Sequence, residues 1–174
     1  MARTRKSQTA VGLNAKIESL NLETIPYSGG ATFVEGDPVS FGADGSAVKP
    51  AGDGTEVVFV NFVDSTRSDV LDRQGDPYQD RLQALNLQNS GHLTGITGSG
   101  LSIGLPRNVF LSGVLPTVGQ GVRVNADADP DLRKWVGEDI VDDTAYYGIV
   151  YRIAENKAYM YFTSRAIVAQ IASA

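Results

Sequence analysis

The chain of 174 residues has no cysteine, one histidine, one tryptophan and two methionines. Without cysteine there is no disulfide framework, no thiolate metal site and no cysteine nucleophile. The single histidine, His92, has no second histidine with which to complete a metal site, and Ser90 beside it does not by itself make a triad. Long apolar runs are missing too. None approaches the roughly 18 residues that mark a membrane-spanning helix, and the basic start ARTRK is not followed by the apolar segment of a signal peptide. What the chain has in quantity is glycine, nineteen residues, together with seven prolines, which favours many turns over long helices.

The organising stretch is Ala31 to Val63. Short β-compatible runs alternate there with turn signals: Gly36-Asp37-Pro38, Asp44-Gly45 and Asp53-Gly54. Asp-Gly between β-prone segments marks a tight hairpin, because glycine accepts the positive φ that such turns need. The run VVFVNFV from Val57 is the most β-prone in the chain and is expected as a central strand. The fold class expected is mainly β: a small antiparallel β-barrel or β-sandwich, with an extended N-terminal arm and at most one or two short helices.

Taken in order, residues 1–30 read as an N-terminal arm, with helical turns possible over Ala15–Leu22, and residues 31–174 as a single β domain. Asp64–Gln79 is a charged loop with a second Gly-Asp-Pro; Asp80–Asn89 is a short helix or a strand. Leu101, Ile103 and Leu105 alternate as in a strand. The segment GITGSGLSIG lacks the Lys-Ser/Thr ending of a phosphate loop and reads as a flexible loop. KAYMYFT, from Lys157, places Tyr159, Tyr161 and Thr163 on one face and Met160 and Phe162 on the other. Ile167–Ile171 is a short helix or an edge strand. A weak echo of Thr32–Phe41 recurs 85 residues later, which would make 31–63 and 116–151 two similar hairpin units.

Net charge is −5, but unevenly spread. Residues 1–16 carry Arg3, Arg5, Lys6 and Lys16 and no acid, leaving −9 on the rest. An acidic body disfavours nucleic acid and anionic membranes as partners. The basic arm is a candidate for capsid or subunit contacts, and the segment 127–143, with seven acids and two bases, is its natural counterpart. Asp127, Asp129, Asp131 and Glu138 fall at positions one, three, five and twelve of a calcium-loop spacing, although Leu132 stands where an EF-hand has its glycine. A solvated acidic loop, with no cofactor, is the simpler reading. Trp135, Arg73, Tyr78 and Arg81 are candidate interface residues, with core packing the competing role for Trp135.

Residues 32–63, with Gly36-Asp37-x-Val39-x-Phe41, Asp44-Gly45 and the β-prone run 57–63, resemble the capsid decoration, or cement, proteins of tailed bacteriophages. The resemblance covers about a fifth of the chain. It implies a β head on the outer surface of the phage shell, bound to the major capsid protein, often as a homotrimer, with an arm adding shell contacts. It implies no catalytic residues and a place on the virion surface after synthesis in the host cytoplasm. Other phage structural proteins, of the tail tube or head completion, and carbohydrate-binding β modules stay open from the residues alone.

Overall fold

A computed structural model describes residues 14–15, 21–27, 31–62 and 91–170. The strands among them are β1 (Asn14–Ala15), β2 (Asn21–Pro26), β3 (Pro38–Phe41), β4 (Ala47–Val48), β5 (Phe59–Asn61) and β6 (His92–Thr97), followed by β7 (Ser99–Pro106), β8 (Gly121–Val124), β9 (Trp135–Glu138), β10 (Ala145–Ala154) and β11 (Lys157–Val168). They form a six-stranded sheet in the order β1-β7-β11-β10-β8-β9 and a five-stranded sheet in the order β2-β6-β5-β3-β4. Every ladder is antiparallel. The sheets do not close into a barrel; they make a β-sandwich-like body. The only helical turns among the described residues are three-residue 3-10 turns.

The main core lies between the sheets. Val58, Val60, Phe62 and Ile96 of the five-stranded sheet meet Ile103, Leu105, Val122, Trp135, Met160 and Phe162 of the other. A smaller core on the far face of the five-stranded sheet holds Ile25, Phe33, Val39, Ala47, Phe59 and Leu93. Strand β5 therefore has both faces buried. That is why its sequence is continuously apolar rather than alternating.

The strands β2 to β6 and β7 to β11 have the same connectivity. Reading β2 as β7, β3 as β8, β4 as β9, β5 as β10 and β6 as β11 turns β2-β6-β5-β3-β4 into β7-β11-β10-β8-β9. The turns entering β3 and β8 match in detail. Gly36 and Gly119 have φ of +95° and +92°, a region that favours glycine. Asp37 N donates to Val34 O at 3.1 Å, and Gln120 N to Thr117 O at 3.2 Å. The side chain at the same place caps each turn: Asp37 Oδ2 accepts from Val34 N at 3.0 Å, Gln120 Oε1 from Thr117 N at 2.9 Å. Gly36 N and Gly119 N each donate to the equivalent strand, β5 or β10, at Asn61 O and Val150 O, both at 2.8 Å. The equivalence runs at 83 residues for this turn, from Gly36 to Gly119, not at the 85 suggested by sequence spacing.

Three further readings are corrected. Asn21–Pro26, inside the span read as an arm, is a strand paired with β6, and its Ile25 is fully buried. Ala15, Asn21 and Leu22 lie in strands, so the helical turns expected over Ala15–Leu22 do not form at either end. GITGSGLSIG is not a loop but the end of β6, a corner and most of β7. Its glycines clear space: a Cβ on Gly95 would lie 2.7 Å from Phe59 Cβ, and one on Gly104 would lie 2.8 Å from the Tyr159 ring. At the chain's other end β11 continues to Val168, so the last apolar run begins as strand. The segments 63–90 and 1–13 lie outside the described residues, and with them the expected loop at 64–79 and the expected short helix or strand at 80–89.

Candidate functional site

Charge inside the body is used to hold the fold. Asp37, fixed at the turn after Gly36, accepts from Lys49 Nζ at 2.5 Å, and both side chains are 3% exposed. The same ammonium lies 4.6 Å from the centroid of the Phe33 ring. Lys49 thus neutralises a buried carboxylate through its Oδ2 and covers the small core, as a buried charge must be paired to be tolerated. It also lines a cleft of about 610 Å³ between the β3–β4 region and the turn at 130–133, with Glu56, Asp131 and Arg133. Two of these groups have local partners. Glu56 Oε1 accepts from Ala51 N, and Arg133 Nε donates to Asp127 O. Behind Glu56, Tyr147 donates its hydroxyl to the Glu56 carbonyl at 3.1 Å, and burial, helped by the charges of Glu56 and Asp53, pushes its pKa up to about 12.

The calcium-loop residues are not gathered around one point. Asp127 Oδ1 accepts from Asp129 N and Asp129 Oδ1 from Asp131 N, so two of the carboxylates turn back onto their own loop. Glu138 is on β9, where its two oxygens take a two-pronged bond from Arg123 at 2.6 and 2.9 Å. That pair raises the guanidinium pKa, the hydrogen bond to Glu138 being the main cause. Among the described residues no group of three or more histidine, cysteine or acidic side chains is placed to hold a metal ion. Trp135 is fully buried, edge-on to Tyr147 and Phe162, and its Nε1 donates to Gly36 O at 2.8 Å. It ties the two five-strand sets together and is not a surface anchor. His92 starts β6 and is half-buried. Arg3, Arg5, Lys6, Lys16, Arg73, Tyr78 and Arg81 lie outside the described residues.

The surface that stands out is the outer face of β7, β11 and β10. Ile149 and Tyr161 sit opposite each other across β10 and β11 and are 47% and 55% exposed. Tyr151 stacks on Tyr161 with ring centroids 4.5 Å apart, and its hydroxyl shares a 2.6 Å hydrogen bond with Ser102 Oγ. Ile140, Tyr146, Ile149, Tyr161, Thr163 and Ile167 line an apolar groove of about 330 Å³. Tyr146 closes its floor; its hydroxyl accepts from Val141 N at 3.0 Å and donates to Asp139 O at 3.2 Å. A bare Gly121 makes room for that ring, since a Cβ there would lie 2.4 Å from it. At the far end of β10 the Arg152 guanidinium lies 4.1 Å from the centroid of the Tyr159 ring. The alternation in KAYMYFT pairs Tyr159, Tyr161 and Thr163 on one face, but which face meets solvent follows only from what packs across the sheet.

Such a face has the composition of a contact surface: aromatic and aliphatic at its centre and charged at its ends. Among the described residues no helix is long and apolar enough to cross a membrane. No protein-family model matches the chain, and neither does any curated protein or solved structure.

Proposed function

We propose that this protein is a structural component of a phage virion: a decoration, or cement, protein that binds the outer surface of the head, contacts the major capsid protein and stabilises the shell without catalysing a reaction. The observation that carries the reading is the outer face of β10 and β11, where Ile149, Tyr161 and Ile167 stay exposed while the ion pairs Lys49–Asp37 and Arg123–Glu138 serve the body itself. The resemblance of residues 32–63 to decoration proteins supports the same role. A clasp of this kind gains strength from many weak contacts repeated over a shell, and a rigid β body limits the entropy lost on docking. The negative body keeps the free protein soluble until the shell is ready.

The test is to add purified protein to phage heads that lack it. Saturable co-sedimentation with expanded heads, and a higher temperature of shell rupture, support the role. Failure to bind expanded or unexpanded heads overturns it. One second reading has its own observation. The Tyr151–Tyr161 stack on a sheet face is a platform on which a sugar ring can lie, and glycan-array binding lost in Tyr161→Ala would favour a carbohydrate-binding module. Rings or tubes formed by the protein alone would favour a tail-tube or head-completion component.

A further inference from the structure

The two five-strand sets use the same face differently. In the first set the cross-strand pair Val60–Ile96 has no exposed surface, because it faces the six-stranded sheet. Its equivalent in the second set is Ile149–Tyr161, and nothing in the described residues covers it. An apolar pair at the position that makes the sheet-to-sheet contact elsewhere in this molecule is a contact surface without its partner among the described residues.

The charges at the two ends of that face indicate the partner. Asp139, Asp142 and Asp143 lie in the exposed turn between β9 and β10; Asp143 N bonds Ala169 O, so this turn abuts the end of β11. Arg152 is exposed at the opposite end of β10. Seven residues separate Ala145 from Arg152, roughly 23 Å of extended chain. Arg165 on β11 lies near the three acids, and Glu155 lies near Arg152, Lys157 and Arg107, so the face is net acidic at one end, net basic at the other and apolar between. Such a surface is complementary to itself when rotated by half a turn: the acids of one copy meet Arg152 of the other, and Ile149 and Tyr161 meet at the centre. This is the geometry of a two-fold, isologous contact.

We propose that the outer face of β7, β11 and β10 pairs with the same face of a second copy of this chain as a two-fold dimer. The shell-binding reading draws on the same face, so the dimer is the form of the free protein and its second copy gives way to the shell on docking. Sedimentation of the free protein tests the dimer, and co-sedimentation with heads tests the other reading.

Sedimentation velocity of the full chain over a concentration series tests it. Wild type is expected to sediment as a dimer. Ile149→Asp and Tyr161→Glu, both at exposed positions, weaken it by roughly a hundredfold, as loss of a central apolar anchor does. Arg152→Glu alone and Asp139→Lys/Asp142→Lys together each weaken it by roughly tenfold, and mixing these two proteins restores association, since both end contacts are then attractive. Circular dichroism melts keep the test falsifiable by showing that each variant is folded. A wild-type monomer at about 100 µM, a trimer, or a dimer indifferent to Ile149→Asp overturns the proposal. So does a monomer whose binding to phage heads or glycans is lost in Tyr161→Glu, which assigns the face to that occupant instead.

Discussion

Val60–Ile96 and Ile149–Tyr161 occupy the same place in two sheets of the same strand order, yet the first pair is fully buried and the second about half exposed. The strands differ little in apolar character. What differs is what lies across from them. Burial of a strand face is a property of the packing between sheets, and a strand that is apolar on both sides states only that two partners are required. For β5 both partners are in the chain: the six-stranded sheet on one side, and Phe33 with its neighbours on the other. For β10 only one is among the described residues.

The same two sets also solve one local problem in opposite ways. At the first, Asp37 caps the turn, Lys49 neutralises it and Phe33 covers both. At the second, the equivalent residues are Gln120, Gly137 and Pro116, and a neutral cap needs no counter-charge. Gln120 caps the turn and donates to Asp139, while Pro116 packs so closely on Gly137 that a Cβ would lie 2.1 Å from it. A buried ion pair under Phe33 and a packed glycine thus hold equivalent turns.

The sharpest way to break the first comparison is to place a charge on each pair. Val60→Asp buries an unpaired carboxylate between the sheets and is expected to cost more than about 4 kcal/mol, whereas Ile149→Asp costs under about 1 kcal/mol. Urea unfolding of both variants, at protein concentrations dilute enough for the wild type to be monomeric, measures the gap, and equal losses would mean that the two faces are not differently covered. The second comparison is tested by Lys49→Met. Leaving Asp37 charged and unpaired should cost about 3–5 kcal/mol, and adding Asp37→Asn should recover part of the loss. Gly137→Ala probes the other turn. Its methyl must displace Pro116, for an expected loss of about 1–3 kcal/mol, and a neutral effect would show that the turn relaxes.

The smallest effect is one of pH. Tyr147 is raised to about 12 in the fold, above its ordinary value near 10, so the folded state holds the proton more tightly than the unfolded chain. Its contribution is complete below about pH 10 and is lost as pH rises toward 12. Tyr147→Phe should flatten stability across that window while costing about 1 kcal/mol at neutral pH for the lost bond to the Glu56 carbonyl. An unchanged alkaline slope would count against the raised value.

Much of the fold was legible where local chemistry decides it. Asp44-Gly45 makes the β3–β4 turn, with Gly45 at φ +79° and Asp44 Oδ1 accepting from Ser46 N. The alternation of KAYMYFT places Met160 and Phe162 in the core and Tyr161 outside it. What was not legible depends on residues far apart in the chain. Trp135, after Arg133 and Lys134, reads equally as an interface anchor or as a core residue, and the bond to Gly36 that decides between them spans 99 positions. The glycines of GITGSGLSIG read as looseness until Phe59 and Tyr159 are seen against them. The candidate contact face suffered the same limit. Its tyrosines were visible, but the open side of the sheet was not.

Hydroxyl-radical footprinting of the side chains tests most directly the claim that one face is sealed and its counterpart is a contact surface. In dilute free protein Tyr161 and Ile149 are expected to be oxidised and Val60, Phe62 and Ile96 to be inert; on association with a second copy or with phage heads, Tyr161 and Ile149 become protected. Reactive Val60 and Ile96 in the folded protein, or a Tyr161 whose reactivity never changes with concentration or added heads, would contradict the account.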